Sequence, residues 1–300
     1  MTAFSSAWTE WAPLLPGLCM DAETLAETLD GGQSFRWHRA NPDSPWRGIW
    51  SDHLVEIQRD ESGGLAWRTP VLRGKPLCPP PAIHRYLGGE SDWESLADAL
   101  PWRSDAHLAR CFQEFKGLRL LRQPFGETLL GFLCSATKQI VQIKQMMGLL
   151  AERHGSEILP GIYRLPTWEE LASVPESELR SCLLGFRARF IHGTARFLSE
   201  NPGWLEETER APYPLAKLRL CSLPGVGEKV ADCVLLFGAG QLEAFPVDVW
   251  ILRALSERYG LDGWKPAAVA HFGRIHYGAY AGLAQQYLFA WERRHGRARG

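Results

Sequence analysis

The chain has 300 residues, 45% of them apolar, with 13 Trp and a formal net charge of −1, enough to bury a large core in one extended or two to three smaller domains. Met1 to Glu10 holds no basic segment followed by an apolar run, and no stretch reaches 18 uninterrupted apolar residues, so neither a signal peptide nor a membrane span is expected. Seven cysteines, odd in number and without a Cys-x2-Cys pair, argue against a disulfide framework and against a zinc or iron–sulfur site.

Asp21 to Leu29, with apolar residues three to four apart, reads as a short helix. Gln33 to His38, Trp46 to Trp50, Leu54 to Arg59 and Leu65 to Arg68 are β-rich and separated by the turn clusters Asn41-Pro-Asp-Ser44 and Glu61-Ser-Gly-Gly64, which predicts an antiparallel meander. Pro79-Pro-Pro81 should end it, and Ser91-Asp92 should cap a helix over Trp93 to Leu100. From Pro101 the period is helical: His107–Phe115, Pro124–His154, Thr167–Ala172, Glu176–Leu184, Phe186–Glu200, Leu215–Leu220, Glu228–Phe237, Val247–Tyr259, Pro266–Phe272 and Ala279–His295. The expected class is α+β, an N-terminal antiparallel sheet domain (1–105) followed by a larger all-α body (106–300), whose C-terminal helix is free to pack back on the first domain. Arg293 to Gly300 reads as a basic, frayed tail. Charge follows the same division: residues 1–105 hold 9 Lys+Arg against 15 Asp+Glu, and 106–300 hold 24 against 19, so the second part suits a polyanion.

The most informative stretch is Leu223-Pro-Gly-Val-Gly-Glu-Lys-Val. Pro224, Gly225 and Gly227 resist a helix interior, whereas Glu228 onward favours one, so a tight hairpin joins the helix before it to a helix N-terminus. Free N–H groups and the helix dipole then converge on one point, where glycines allow a phosphate to approach. Lys229 stands in the first turn beside it. A helix-turn-helix corner with a solvated lysine has the same local pattern. Asp248, after Phe245-Pro246-Val247, falls at the N-cap of the next helix, where a carboxylate is stabilised whether or not it has a further role.

Taken together, the hairpin, Lys229 and Asp248 resemble the helix-hairpin-helix (Gly-Pro-Asp) DNA glycosylase superfamily, and specifically its 8-oxoguanine DNA glycosylases. Gly31-Gly-Gln-Ser-Phe-Arg-Trp37, Phe115-Lys-Gly-x-Arg-Leu-Leu-Arg-Gln123, Leu184-Gly-Phe-Arg-Ala-Arg189 and Ala281-Gly-x-Ala-Gln285-x-x-Leu-Phe289 extend the resemblance from about residue 20 to 295. It implies a bifunctional glycosylase and lyase. Lys229 would attack C1′, expel the base and form a Schiff base that permits β-elimination; Asp248 would orient it and stabilise positive charge on the sugar. A flipped base would lie between Phe289 and Cys233, with Gln285 reading its Watson–Crick edge and the Gly32 carbonyl accepting the N7–H that guanine lacks. Gly225, Val226 and Gly227 would hold the phosphate, Phe186 would fill the vacated stack and Arg187 would read the opposite base.

The chain departs from the family pattern at three places. Thr137 replaces the usual asparagine, Gln142 a second arginine, and Trp250 a phosphate-contacting histidine. The implied partner is double-stranded DNA containing oxidised guanine, engaged by a monomer without membrane, metal or cofactor. The expected compartment is the cytoplasm, at the nucleoid in a bacterium, or the nucleus in a eukaryote. Two alternatives remain open on sequence: an alkylated-base glycosylase of the same superfamily, and a non-catalytic helix-hairpin-helix DNA-binding protein. The first has no need of a lysine nucleophile, and the second needs neither Asp248 nor the Gln285/Phe289 face.

Overall fold

The computed structural model describes residues 7–296. The first part runs β1 (Ala12–Cys19), α1 (Ala22–Asp30), β2 (Trp37–His38), β3 (Trp46–Trp50), β4 (His53–Arg59) and β5 (Gly64–Arg68), then the short hairpin β6 (Val71–Leu72) and β7 (Lys75–Pro76), α2 (Pro80–Tyr86) and α3 (Trp93–Asp98). The helical part comprises α4 (Ala106–Glu114), α5 (Phe125–Leu133), α6 (Ile140–His154), the hairpin β8 (Glu157–Leu159) and β9 (Ile162–Tyr163), α7 (Trp168–Ala172), α8 (Glu176–Leu179), α9 (Arg187–Glu200), α10 (Trp204–Arg210), α11 (Tyr213–Cys221), α12 (Glu228–Val234), α13 (Val249–Tyr259), α14 (Pro266–Tyr277) and α15 (Ala281–His295). The class is α+β, as expected. Among the described residues no helix is long and apolar enough to cross a membrane, and all seven cysteines are free.

The sheet order is β1-β5-β4-β3-β2, antiparallel throughout. The meander accounts for β2 to β5. Its fifth strand, β1, has no sequence counterpart above because Pro13, Pro16 and Gly17 break the β pattern; Leu15 and Gly17 take positive φ and the register slips between Leu14 and Cys19, a distortion an edge strand tolerates. Alternation puts Trp37, Trp46, Trp50, Ile57 and Trp67 on one buried face against α1 and α2. There Trp50 stacks on Tyr86 at 4.1 Å between ring centres, and the Trp37 indole donates to the Tyr86 hydroxyl at 3.0 Å. Pro79-Pro-Pro81 does more than end the sheet. It opens α2, since proline in the first turn removes only N–H groups that have no helical partner.

A second correction concerns Pro124–His154, expected as one helix. The chain leaves the helix after Leu133 and re-enters it at Ile140, with Thr137 at φ +55° between them. No proline or glycine marks that break. A third is the tail: Arg293, Arg294 and His295 are helical and paired, Arg293 with Glu27 at 2.9 Å, Arg294 with Glu23 and Glu114, and His295 with Glu114 at 2.7 Å, so the end of α15 is clamped to α1 and α4. Residues 297–300 of that segment lie outside the described residues. The sequence reading also lacks the hairpin β8–β9 and α10. Glu176–Leu184 is α8 followed by a wide turn in which Leu183 sits at φ +63°.

Two side chains join the sheet region to the helical body. Gln33 is fully buried and makes three bonds across the junction: its amide donates to Arg119 O at 2.8 Å, its side-chain oxygen accepts from Leu121 N–H at 2.9 Å, and its own carbonyl accepts from Gln123 at 2.7 Å. Phe35, two residues on, enters the helical core and meets the Phe132 edge at 5.3 Å, a burial that contributes about 1.5–3 kcal/mol. Together they hold Gly32 in place.

Candidate active site

The hairpin forms as read. Gly225 takes φ +78°, and a Cβ there would come within 2.5 Å of the Phe190 ring, so both backbone and space exclude other residues. Gly227 differs. Its φ of −96° suits any residue, but open space lies in front of its Cα, which leaves room for a ligand at the start of α12. Val226 is buried to 6% exposure, and its N–H bonds Leu223 O at 3.2 Å; its side chain belongs to the core and its N–H to the turn.

Lys229 leaves the first turn of α12, half-buried, with Nζ 3.4 Å from Ser135 Oγ and 5.2 Å from the centre of the Phe132 ring. One turn further, Cys233 is 3% exposed, and burial pushes its thiol up to about 12 although Lys229 pulls the other way, so it is a neutral, apolar wall. Asp248 caps α13, accepting from Trp250 N–H at 3.0 Å and Ile251 N–H at 2.9 Å. Burial raises its carboxyl above the ordinary aspartate range, opposed by the Ile251 N–H, the Lys229 charge and the Trp250 N–H. Lys229, Cys233 and Asp248 therefore share one electrostatic environment. The Trp250 ring is occupied from within by the Arg253 guanidinium, 4.9 Å from its centre.

The far ends of the chain meet at Gly32 and Phe289. Gly32 takes φ +104°, and a Cβ there would lie 3.1 Å from Ile140 and 3.6 Å from the Phe289 ring. The left-handed φ and the crowding against Ile140 both favour glycine there. Phe289 is half-buried, with the Arg293 guanidinium 5.9 Å from its centre. Gln285, one turn before it on α15, is 5% exposed, and its Oε1 meets no donor among the described residues. A buried acceptor without a partner costs free energy that a ligand donor would recover.

Family models described as "8-oxoguanine DNA glycosylase, N-terminal domain" and "HhH-GPD superfamily base excision DNA repair protein" match residues 20–129 and 130–272. The chain is 32% identical over 302 aligned residues to N-glycosylase/DNA lyase OGG1 of Arabidopsis thaliana, covering 94% of this chain and 80% of that protein. The chain belongs to the 8-oxoguanine DNA glycosylase family. A probable N-glycosylase/DNA lyase of Methanothermobacter thermautotrophicus is 31% identical, over 67% of this chain and 72% of its own. Among solved structures, the Clostridium acetobutylicum 8-oxoguanine glycosylase/lyase in complex with dsDNA containing cytosine opposite to 8-oxoG superposes with a TM-score of 0.81 at 28% identity, over 90% of this chain and 91% of that one. The 3-methyladenine DNA glycosylase from Archaeoglobus fulgidus, at 21% identity and a TM-score of 0.75, shares the fold.

The second rim of the site is turned inward. Arg187 is 3% exposed and turned inward, donating to Leu184 O at 3.2 Å, to Ala136 O and to Thr137 Oγ1 at 3.1 Å. Its guanidinium carbon lies 4.4 Å from the centre of the Phe186 ring, which is 47% exposed. Gln142 is also turned back, its Oε1 accepting from Gln139 N–H at 3.2 Å at the start of α6. Thr137, a β-branched residue, holds a left-handed φ in which an asparagine is at ease. Sequence reasoning missed Ser135 and Phe132 as neighbours of Lys229. The only signal was the Ser-Ala-Thr cluster, whose hydroxyl residues suit a turn ahead of the helix that Gln139 caps.

Proposed function

We propose that this protein removes 8-oxoguanine from duplex DNA and cleaves the resulting site through a lysine Schiff base. The observations that carry the reading are Lys229 in the electrostatic environment of a capped Asp248, and, on α15, a buried Gln285 Oε1 without a donor one turn from the Phe289 ring that Gly32 approaches. The neutral Lys229 amine attacks C1′ as the N-glycosidic bond breaks and its electron pair leaves on N9 of the base; loss of the amine proton and opening of the sugar ring yield the imine, which withdraws electrons for β-elimination of the 3′ phosphate. Ionised Asp248 stabilises positive charge on the sugar and on the lysine.

The flipped base stacks on Phe289 with Cys233 opposite, Gln285 accepts from its Watson–Crick edge, and the Gly32 carbonyl accepts the N7–H that distinguishes lesion from guanine. Gly225, Gly227 and the start of α12 take the phosphate, Phe186 fills the vacated stack, and Trp250 stands beside the backbone. We further propose that the sheet domain ends near residue 105, and that the site of action is the DNA-bearing compartment. Incubation with an 8-oxoguanine duplex under borohydride tests the whole reading: base release with a covalent adduct supports it, and binding without either result leaves only a DNA-binding module. Base release without an adduct would favour the alkylated-base type of chemistry.

A further inference from the structure

Three consecutive residues touch both rims of the site. Ser135 Oγ donates to Phe132 O at 2.7 Å and so presents a lone pair to Lys229 Nζ at 3.4 Å, while the next carbonyl, Ala136 O, and the Thr137 hydroxyl both accept from Arg187. These residues form the turn between α5 and α6. Its strain sits at Thr137, because a β-branched residue at φ +55° persists only where its surroundings over-determine it. The bonds from Arg187, beside the Lys138 N–H bond to Ser135 O, are those surroundings. The guanidinium is buried and turned inward, so swinging it out to a base on the other strand takes its Nη2 off Ala136 O and the Thr137 hydroxyl, leaving the turn with the Lys138 N–H bond to Ser135 O and free to relax towards ordinary backbone angles.

We propose that the Ser135-Ala136-Thr137 turn couples the base opposite the lesion to the nucleophile. Arg187, on leaving the turn for that base, repositions Ser135 against Lys229, so that the opposite base is felt in the chemical step and not only in binding. Ser135 is thus a positioning residue: with its own proton on Phe132 O, it aims the lysine nitrogen without donating to it. The turn held by Arg187 is one arrangement, and its release on the opposite base gives the second that such coupling requires. The inference rests on Lys229 being the nucleophile.

Single-turnover base release on duplexes with cytosine or adenine opposite the lesion tests it, using the native protein, S135A, R187A and the double variant. S135A should slow the cytosine duplex by about tenfold, the loss of one hydrogen bond, and should bring the cytosine-to-adenine rate ratio towards one while affinity for each duplex and the melting temperature hold. S135T, which keeps the hydroxyl, should restore the native ratio. The double variant should be no slower than R187A alone, because the two residues act through one turn. A native ratio of one, an unchanged ratio in S135A, or losses that multiply in the double variant would each overturn the coupling. Borohydride trapping in K229Q separates the two ideas: a persisting adduct sinks the nucleophile assignment, whereas a lost adduct beside an unchanged S135A ratio sinks only the coupling.

Discussion

The two rims of the site hold similar groups in opposite ways. On the Lys229 rim the backbone that carries each group is set by its own segment: Asp248 caps its own helix and Lys229 leaves the first turn of α12, with the Lys229 Nζ meeting an outside partner, Ser135 Oγ. On the Arg187 rim the polar groups are already engaged, Arg187 with a turn about fifty residues away and Gln142 with Gln139. Chemistry rewards groups that need not move when charge develops, whereas recognition by Arg187 must first break bonds it already has, which lowers the discrimination obtainable from a given contact. The Asp248 cap is preorganised for reaction and the Arg187 rim is latched, with the Ser135 turn between them.

Removing the centre of the first rim tests the contrast most severely. Lys229→Gln should abolish base release and imine trapping while duplex affinity stays close to native; normal turnover would end the assignment. Asp248→Asn should slow the chemical step by about 10²–10³, yet melt near the native temperature, since the amide keeps an acceptor for the Trp250 and Ile251 N–H groups. An unchanged rate would leave Asp248 as a cap alone.

The pH profile sharpens that point. Burial raises the Asp248 carboxyl in the folded state, so the reactive carboxylate is lost on acidification sooner than for an ordinary aspartate, and the acid limb of the native rate profile should lie above the usual range and vanish in D248N. For stability the sign is the reverse. The folded protein holds this proton longer than the unfolded chain, so the contribution of Asp248 is present below the unfolded value and lost as pH rises through the folded one, a slope that D248N should lack.

Gln285→Ala and Phe289→Ala should each reduce lesion processing by roughly tenfold to a hundredfold, the range for one stacked base or one buried hydrogen bond, without weakening undamaged duplex. Equal losses on both DNAs would mean that these side chains serve the core. The smallest effect belongs to the latched rim. Thr137→Asn and Gln142→Arg should sharpen selectivity for cytosine opposite the lesion by up to about tenfold each, read from rates on four duplexes that differ only in the opposite base. Strict cytosine dependence in the native protein would mean that other residues do the reading.

The meander, the capped helix at Asp92, the glycine hairpin and the Asp248 cap were all legible because each depends on a few neighbouring residues and their dihedral preferences. The edge strand β1 was not, since its pairing is supplied by β5 and overrides a poor local pattern. Nor was the break in Pro124–His154. Helical periodicity continues on both sides of it, and Arg187, from α9, holds the turn open.

For the site, residue types and spacing were enough to nominate Lys229, Asp248, Gly32, Gln285 and Phe289. The approach of Gly32 to Phe289 was not legible, because it depends on Gln33 and Phe35 tying the sheet to the helical body. Sequence alone determined what sits in the first turn of a helix and which residue caps it, as these are short-range consequences of backbone geometry. Which way Arg187 and Gln142 point, and that Ser135 stands against Lys229, was decided only by tertiary packing, where a long side chain takes whichever buried acceptor the rest of the fold leaves within reach.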